Sequence, residues 1–412
     1  MSALSTAGLM GMWHFGLPTP AVVGAIILLL LGLAYRTVCL LGVPISAEDS
    51  GNTLKLWNGL SKGHHIKEQV REKDGSAVVI EPLHDFDWKT VEPRQFRHFK
   101  RIYHITMGKE GPRIQYLKDA TLLTMAAGLQ SDTPSDLIAI DKDYLDRVTH
   151  RRHLIEKHGS GVHGCLPGGV AAVNELYTYL TSEYLPTRFP TIFQLSDDGT
   201  QFINNAAGKT WPTAPPEDPA AALRVLGETV EEDMFLLHEM PEGHKSYAFV
   251  CCFPSGFDPS TKVGKLLKDI HAPVPSYDKI GASMERFFAR TEVGKSVKRL
   301  NWAIQTHGEL YNSGSNHMTN EEALDTPQDA DINIDESYYR VELQTLTRLP
   351  RTRALLFSFK TYLYPLRQIK EEGLGSELAD AVDGLKAGNA PGTWVYKGAA
   401  RWSERVCEYL RA

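Results

Sequence analysis

Residues 247–275 read YAFVCCFPSGFDPSTKVGKLLKDIHAPVP. The run 247–253 is continuously apolar and rich in aromatic and β-branched residues, the composition of a buried strand. Pro254-Ser255-Gly256 breaks it. Asp258 before Pro259 is a helix start, a capping side chain followed by proline at the first helical position. Val263, Leu266, Leu267 and Ile270 then recur at helical spacing while Lys262, Lys265, Lys268 and Asp269 fall elsewhere, which predicts an amphipathic helix over 259–271. His271 lies four residues after Leu267 on the same face, and Ala272-Pro273-Val274-Pro275 ends the helix. An imidazole at the end of a buried helix face suits an axial ligand for a flat apolar cofactor. It equally suits a histidine that hydrogen-bonds a free carbonyl and complements the helix dipole.

Working outward, residues 233–240 and 244–253 flank Pro241-Glu242-Gly243 and read as a hairpin. A helix over 279–289 and a strand over 296–307 follow. Residues 312–337 are acidic and polar, a surface loop. Residues 339–346 alternate, with Val341 and Leu343 on one face and Arg340, Glu342 and Gln344 on the other. The turn 348–353 leads to a strand over 354–362, and amphipathic helix runs from there to the C-terminus. Toward the N-terminus, 136–159 and 169–184 have helical periodicity, 200–205 and 77–80 suit short strands, and 45–76 is a polar linker. The strand-rich part spans 200–365 with helices on either side, so the class is α+β with an antiparallel sheet.

A net charge of -6 leaves no basic footprint, which argues against nucleic acid as a partner. Five cysteines form no metal spacing, and Cys251 and Cys252, neighbours in the predicted strand, read as buried thiols. No Asn-x-Ser/Thr acceptor occurs, and there is no cysteine cluster for iron–sulfur binding; the GxGxxG at 159–164 follows a helical stretch rather than a strand, which is not the dinucleotide-binding context. Residues 15–35 (FGLPTPAVVGAIILLLLGLAY) carry no charge, and about 20 apolar residues span a bilayer. No Lys or Arg precedes Arg36, so the expectation is a single-pass anchor with the large domain facing the cytosol; a cleaved signal peptide is the competing reading.

Several ordered segments then converge: FDW at 86–88, YHITMG at 103–108, IDKDY at 140–144, NEL at 174–176, RFPTIF at 188–193, FPSGFDPSTKVGKLLKDIHAPVP at 253–275, RLNW at 299–302 and YRVELQTLTRLPRTRALLFSFKTYLYPL at 339–366. In these the chain resembles the haem-dependent oxidative N-demethylase alpha-subunit-like family, over most of residues 80–390; fungal members often carry an N-terminal membrane anchor. The resemblance implies a PAS-like antiparallel sheet that binds haem b. It also implies activation of dioxygen to oxidise a small secondary amine, with electrons from a separate NADPH-, flavin- and iron–sulfur-containing partner. It places the iron ligand, hence the metal site, at His271 on the helix before the last three strands. Val263 and Leu267 lie beside the cofactor on that helix, and His238 is the next candidate ligand.

For the distal side the expectation is Arg299, Asn301, Arg340 and Glu342. Dioxygen and an amine both need fixed polar groups in an apolar pocket, and a carboxylate can hold an ammonium. The alternative is that Arg340, Glu342 and Gln344 are a solvated strand face. Tyr362 and Arg348 read as packing and turn residues. The chain departs from the pattern at Phe257 and Leu343, near which bacterial relatives have a Trp and an Arg. Residues 109–128 interrupt the pattern, and their flanks permit codings that resemble a fungal intron's donor, branch and acceptor, the expectation being a retained intron. Two other functions compete: a non-catalytic haem sensor or carrier, and a secretory-pathway glycosyltransferase using Asp141-Lys142-Asp143 or Asp329-Ala330-Asp331.

Overall fold

The computed structural model describes residues 79–97, 99, 104–108, 111–115, 123–124, 130–325, 332–387 and 390–412. Its strands, in chain order, are β1 (His104–Gly108), β2 (Gly111–Gln115), β3 (Leu123–Thr124), β4 (Gln130–Asp132), β5 (His163–Cys165), β6 (Phe193–Leu195), β7 (Gln201–Asn204), β8 (Lys209–Pro212), β9 (Asp233–Met240), β10 (Gly243–Val250), β11 (Ser296–Gln305), β12 (Tyr338–Arg348) and β13 (Leu355–Pro365). Three-stranded sheets β1-β2-β3 and β6-β7-β8 accompany a seven-stranded sheet of order β4-β11-β12-β13-β9-β10-β5. Every pairing in the large sheet is antiparallel. The predicted hairpin is β9–β10, and the three strands expected after the His271 segment are β11, β12 and β13.

The alternation read in β12 decides what each face of the sheet touches. Tyr339, Val341 and Leu343 join Trp302, Ile304, Tyr362 and Tyr364 in a core with Leu378, Val382, Trp402, Val406 and Leu410. Those partners come from the helices Gly375–Gly384 and Ala399–Arg411, whose apolar residues fall on one side at helical spacing. Glu342, Gln344 and Leu346 point to the opposite face, where the cavity described below lies. Helices Tyr144–His158, Val170–Thr178 and Pro219–Thr229 build a further core with Met234, Leu236, Ala248 and Val250. The last of them starts as its sequence requires: Asp218 accepts from the Ala220 N–H with proline at the first helical position.

A buried ion pair fixes where β10 ends. Arg151 on the first of those helices contacts Asp233 Oδ1 at 2.5 Å and also donates to the carbonyls of Gly227, Glu231 and Glu232. Asp233 in turn accepts from the N–H groups of Cys252 and Phe253, at 2.7 and 2.8 Å. Cys251 and Cys252, expected in the strand, lie just past its end at Val250, but both are buried free thiols as expected.

The continuous helix expected over 259–271 does not form. A single turn, Pro259–Thr261, is followed by Gly264 at φ +82 and a one-turn helix, Leu267–Ile270. The segment between runs alongside β10: Gly264 N–H donates to the Ser246 carbonyl at 2.8 Å, and Ser246 N–H to the Lys265 carbonyl at 3.0 Å. A left-handed glycine lets the chain leave the helix, and the free edge of β10 supplies hydrogen bonds that a helix would have made internally.

Val79 and Ile80 form no strand, and the other half of that expectation, with the linker 45–76 and the anchor 15–35, lies outside the described residues. Among the described residues no helix is long and apolar enough to cross a membrane. The block 109–128 contributes β2 and β3; its other residues lie outside the described set, as does Asp329-Ala330-Asp331. Asp141 is not a nucleotide-sugar ligand: it is buried against the Lys360 ammonium at 2.8 Å.

Candidate functional site

The sheet's open face floors a cavity of about 1220 Å³, roofed by residues from 255–288, 317–322, 385–387 and 390–397. Antiparallel register lines up its floor in rows across the strands. Val297, Leu346, Phe357 and Phe235 make one row, wholly apolar. In the next row Arg299 pairs with Gln344 and Gln344 with Phe359; beyond it Asn301 faces Glu342. The floor thus grades from hydrocarbon to charge along the strands. Leu267, Ile270, Met284, Phe287 and Phe288 extend the apolar wall.

Two histidines line this cavity, and they are built alike. His271, at the end of the Leu267–Ile270 turn, places Nδ1 at 2.9 Å from the Leu267 carbonyl and stacks on Tyr277, centroids 5.0 Å apart and planes 7° from parallel. A carbonyl only accepts, so Nδ1 carries the proton and Nε2 holds the lone pair. His317 places Nδ1 at 3.1 Å from the Gly256 carbonyl and stacks on Tyr396 at 4.3 Å and 16°. Burial drives each imidazole down to about 4; positive charges on Arg299 and Lys262 add to the effect at His271, and Lys397 does so at His317. Both rings are therefore neutral at physiological pH, ready to give a lone pair without first losing a proton.

Gly256 is essential to the second arrangement. Its φ is +76, and a Cβ there would lie 3.0 Å from the Asn316 Cβ and the His317 backbone nitrogen. Arg340 holds the same loop from beneath: its guanidinium donates to the carbonyls of Phe253, Pro254 and Leu310 and to Gln305 Oε1. Arg340 was expected at the distal side with Glu342. It shares that strand face but does not line the cavity, because the turn 253–255 folds over it and captures its donors.

Of the other expected residues, Arg299, Asn301, Glu342, Leu267 and His271 all reach the cavity. Val263 does not: with no continuous helix it packs into the apolar cluster around Leu267 without reaching the wall. His238 is also outside. Strand alternation aims Phe235 and Leu237 inward and turns His238 to the other face, edge-on to Tyr247 at 5.1 Å. Arg348 is a turn residue as expected, donating to the carbonyls of Thr291, Arg353 and Phe288. Tyr362 packs in the core behind the sheet. Glu342 and Gln344 are not a solvated face; both are buried.

Sequence reasoning missed His317, Gln344, Lys262 and Lys397 as cavity residues. Gln344 was visible in the alternation that exposed Glu342. Lys397 and His317 carry no such signal: one precedes a terminal helix, the other sits in a loop. Lys397 donates to the Trp302 carbonyl and to Asn301 Oδ1, and burial lowers its ammonium to about 8, with Glu342 opposing that shift and Arg299 reinforcing it. Burial also lowers Lys262, whose ammonium lies over the Phe257 ring at 5.6 Å.

The donor set fits haem on three counts. A neutral imidazole with its far nitrogen anchored to a carbonyl is how metal-binding histidines are held. The apolar row and aromatic wall suit a flat macrocycle, and Lys262 offers a cation for a carboxylate side group. Residues 128–407 match a family described as haem-dependent oxidative N-demethylase, alpha subunit-like. That match spans well over half the sequence, and it takes in the whole large sheet and every residue of the cavity. The chain belongs to the haem-dependent oxidative N-demethylase, alpha-subunit-like family.

Proposed function

We propose that the cavity binds haem b through His271 and that the protein oxidatively demethylates a small amine with dioxygen. The observation that carries the reading is His271 itself, an imidazole whose Nδ1–H is held by the Leu267 carbonyl while the ring lines a cavity with apolar walls. The five strands β10-β9-β13-β12-β11 and the His271 segment before the last three support a PAS-like haem domain.

Bound haem would supply the redox chemistry, oxidising the N-methyl carbon at the expense of dioxygen. In balance, the methyl group leaves as formaldehyde, the second oxygen atom leaves as water, and two electrons and two protons are taken up. The electrons would come from a separate reductase, in keeping with the lack of an iron–sulfur cysteine cluster in this sequence. The chain's own residues orient and shield. Glu342 Oε2 accepts from Asn301 Nδ2 at 3.2 Å and Gln344 Nε2 at 2.9 Å, which fixes the carboxylate and leaves Oε1 for a substrate ammonium. Phe357, Phe359 and Phe235 exclude water from one side of the floor. His317 offers a second neutral ring to the same space. The exposed carboxylates Asp278, Glu321 and Glu322 at the rim would favour entry of a cationic amine.

Expression of residues 46–412 with added haem, beside His271→Ala and His317→Ala, tests the reading. A Soret band at stoichiometric haem that is displaced or lost in His271→Ala supports it, and formaldehyde release from an amine with a reductase separates an enzyme from a haem carrier. A colourless wild type would overturn it; an unchanged band in His271→Ala with loss in His317→Ala would move the ligand to His317. The uncharged run 15–35 supports a single-pass anchor with this domain on the cytosolic side. The block 109–128 is read as a retained intron, a reading in keeping with a family match that begins at residue 128; transcripts that all contain the block would sink it.

A further inference from the structure

Glu342 and Lys397 line the cavity with opposite charges, yet no ion pair joins them; the Asn301 amide stands between. Its Nδ2 donates to Glu342 Oε2 at 3.2 Å and its Oδ1 accepts from Lys397 Nζ at 3.4 Å. On the other side of Glu342, Gln344 repeats the device: Nε2 donates to the same Oε2 at 2.9 Å while Oε1 accepts from Arg299 Nε. The result is an ordered line, Lys397–Asn301–Glu342–Gln344–Arg299: cation, amide, carboxylate, amide, cation. Both amides converge on Oε2, and among the described residues Oε1 has no hydrogen-bond partner. Lys397 donates to the Trp302 carbonyl and to Asn301, which leaves a third N–H available.

Glu342 and Lys397 balance in charge, but each keeps one group unmatched, Oε1 on the carboxylate and an N–H on the ammonium. A simple alkylammonium on Glu342 would satisfy that carboxylate but set a second positive charge beside Lys397, in a buried site where repulsion is weakly screened. A molecule with an ammonium and a carboxylate a carbon apart adds no net charge and meets both unmatched groups at once. We propose that the substrate is an N-methylated α-amino acid bound as its zwitterion, its ammonium on Glu342 Oε1 and its carboxylate on Lys397. Lys397 is then the specificity-determining residue of the amine site. The inference rests on the preceding reading for its chemistry, not for binding.

The test is titration of the haem-loaded protein with N-methylglycine, dimethylamine and acetate, followed by calorimetry and by the Soret difference spectrum, for wild type, Lys397→Met and Lys397→Arg. Wild type should bind N-methylglycine about tenfold or more tighter than either of the others. Lys397→Met should lose that preference, N-methylglycine weakening while dimethylamine, relieved of the neighbouring charge, binds no more weakly, and Lys397→Arg should restore part of it. A wild type that prefers dimethylamine overturns the inference, even if no variant folds. So does a Lys397→Met protein that loses haem affinity while keeping its ligand preference, which would make Lys397 a partner of the haem carboxylates. A missing Soret band defeats the haem reading alone, because calorimetry on the haem-free protein still ranks the three ligands.

Discussion

Lys397→Met, measured in protein prepared without haem, should reveal that a substrate-site lysine costs the fold stability. Burial takes the Lys397 ammonium from its usual 10.5 down to about 8. At about 1.4 kcal/mol per pH unit, that is a penalty of about 3 kcal/mol for keeping the charge where it is. The sign follows from proton counting. Between about pH 8 and 10.5 the unfolded chain keeps the lysine proton while the folded protein releases it, so this residue's contribution to stability rises with pH. Below about pH 8 both states are protonated and the full penalty stands. The substitution also removes the donors to the Trp302 carbonyl and Asn301 Oδ1, a loss of about 1–3 kcal/mol that does not vary with pH. Wild-type stability minus that of Lys397→Met, from urea unfolding, should therefore climb by about 3 kcal/mol between about pH 7 and 10.5. Other groups titrate in both proteins and cancel. A difference that stays level across that range would refute the reasoning, and with it the idea that a buried, uncompensated ammonium waits in this cavity.

Glu232 should show the opposite slope. Burial raises its carboxyl from 4.5 to about 7, so the folded protein holds a proton that the unfolded chain loses, and stability falls between those values. Glu232→Gln should remove about 3 kcal/mol of that fall, seen as a stability difference, wild type minus variant, that drops by that amount from about pH 4.5 to 7 rather than staying level. Gly256→Ala should cost at least about 1–2 kcal/mol from the left-handed backbone alone. Since the added Cβ pushes on His317, it should also broaden the absorption band of the haem-loaded protein. Arg340→Met strips donors from the Phe253, Pro254 and Leu310 carbonyls and from Gln305, and should lower stability by about 3 kcal/mol or more. Arg340→Lys should recover little, because an ammonium cannot reproduce the planar fork; unfolding by urea measures both.

Much of this architecture follows from local pattern. Alternation in 339–346 and the apolar runs on either side of Pro241-Glu242-Gly243 determine strands and inward faces, because a pleated strand repeats every two residues whatever it packs against. That is why Glu342 could be named without coordinates; Arg299, Asn301 and His271 rest on the family resemblance as well, and His271 also on a helix over 259–271 that does not form. Tertiary structure decided the rest. Whether residues 262–266 continue a helix depended on a free edge at Ser246, about 20 residues earlier in the chain and invisible to periodicity. Arg340 and Glu342 share a face, yet only one meets the cavity, because the turn at Pro254 closes over the other. His317 and Lys397 come from segments with no repeating pattern, and they matter only where folding sets them beside Gly256 and Asn301. Sequence periodicity records which way a side chain points; what waits there is set by chain returning from elsewhere, through contacts that no local window contains.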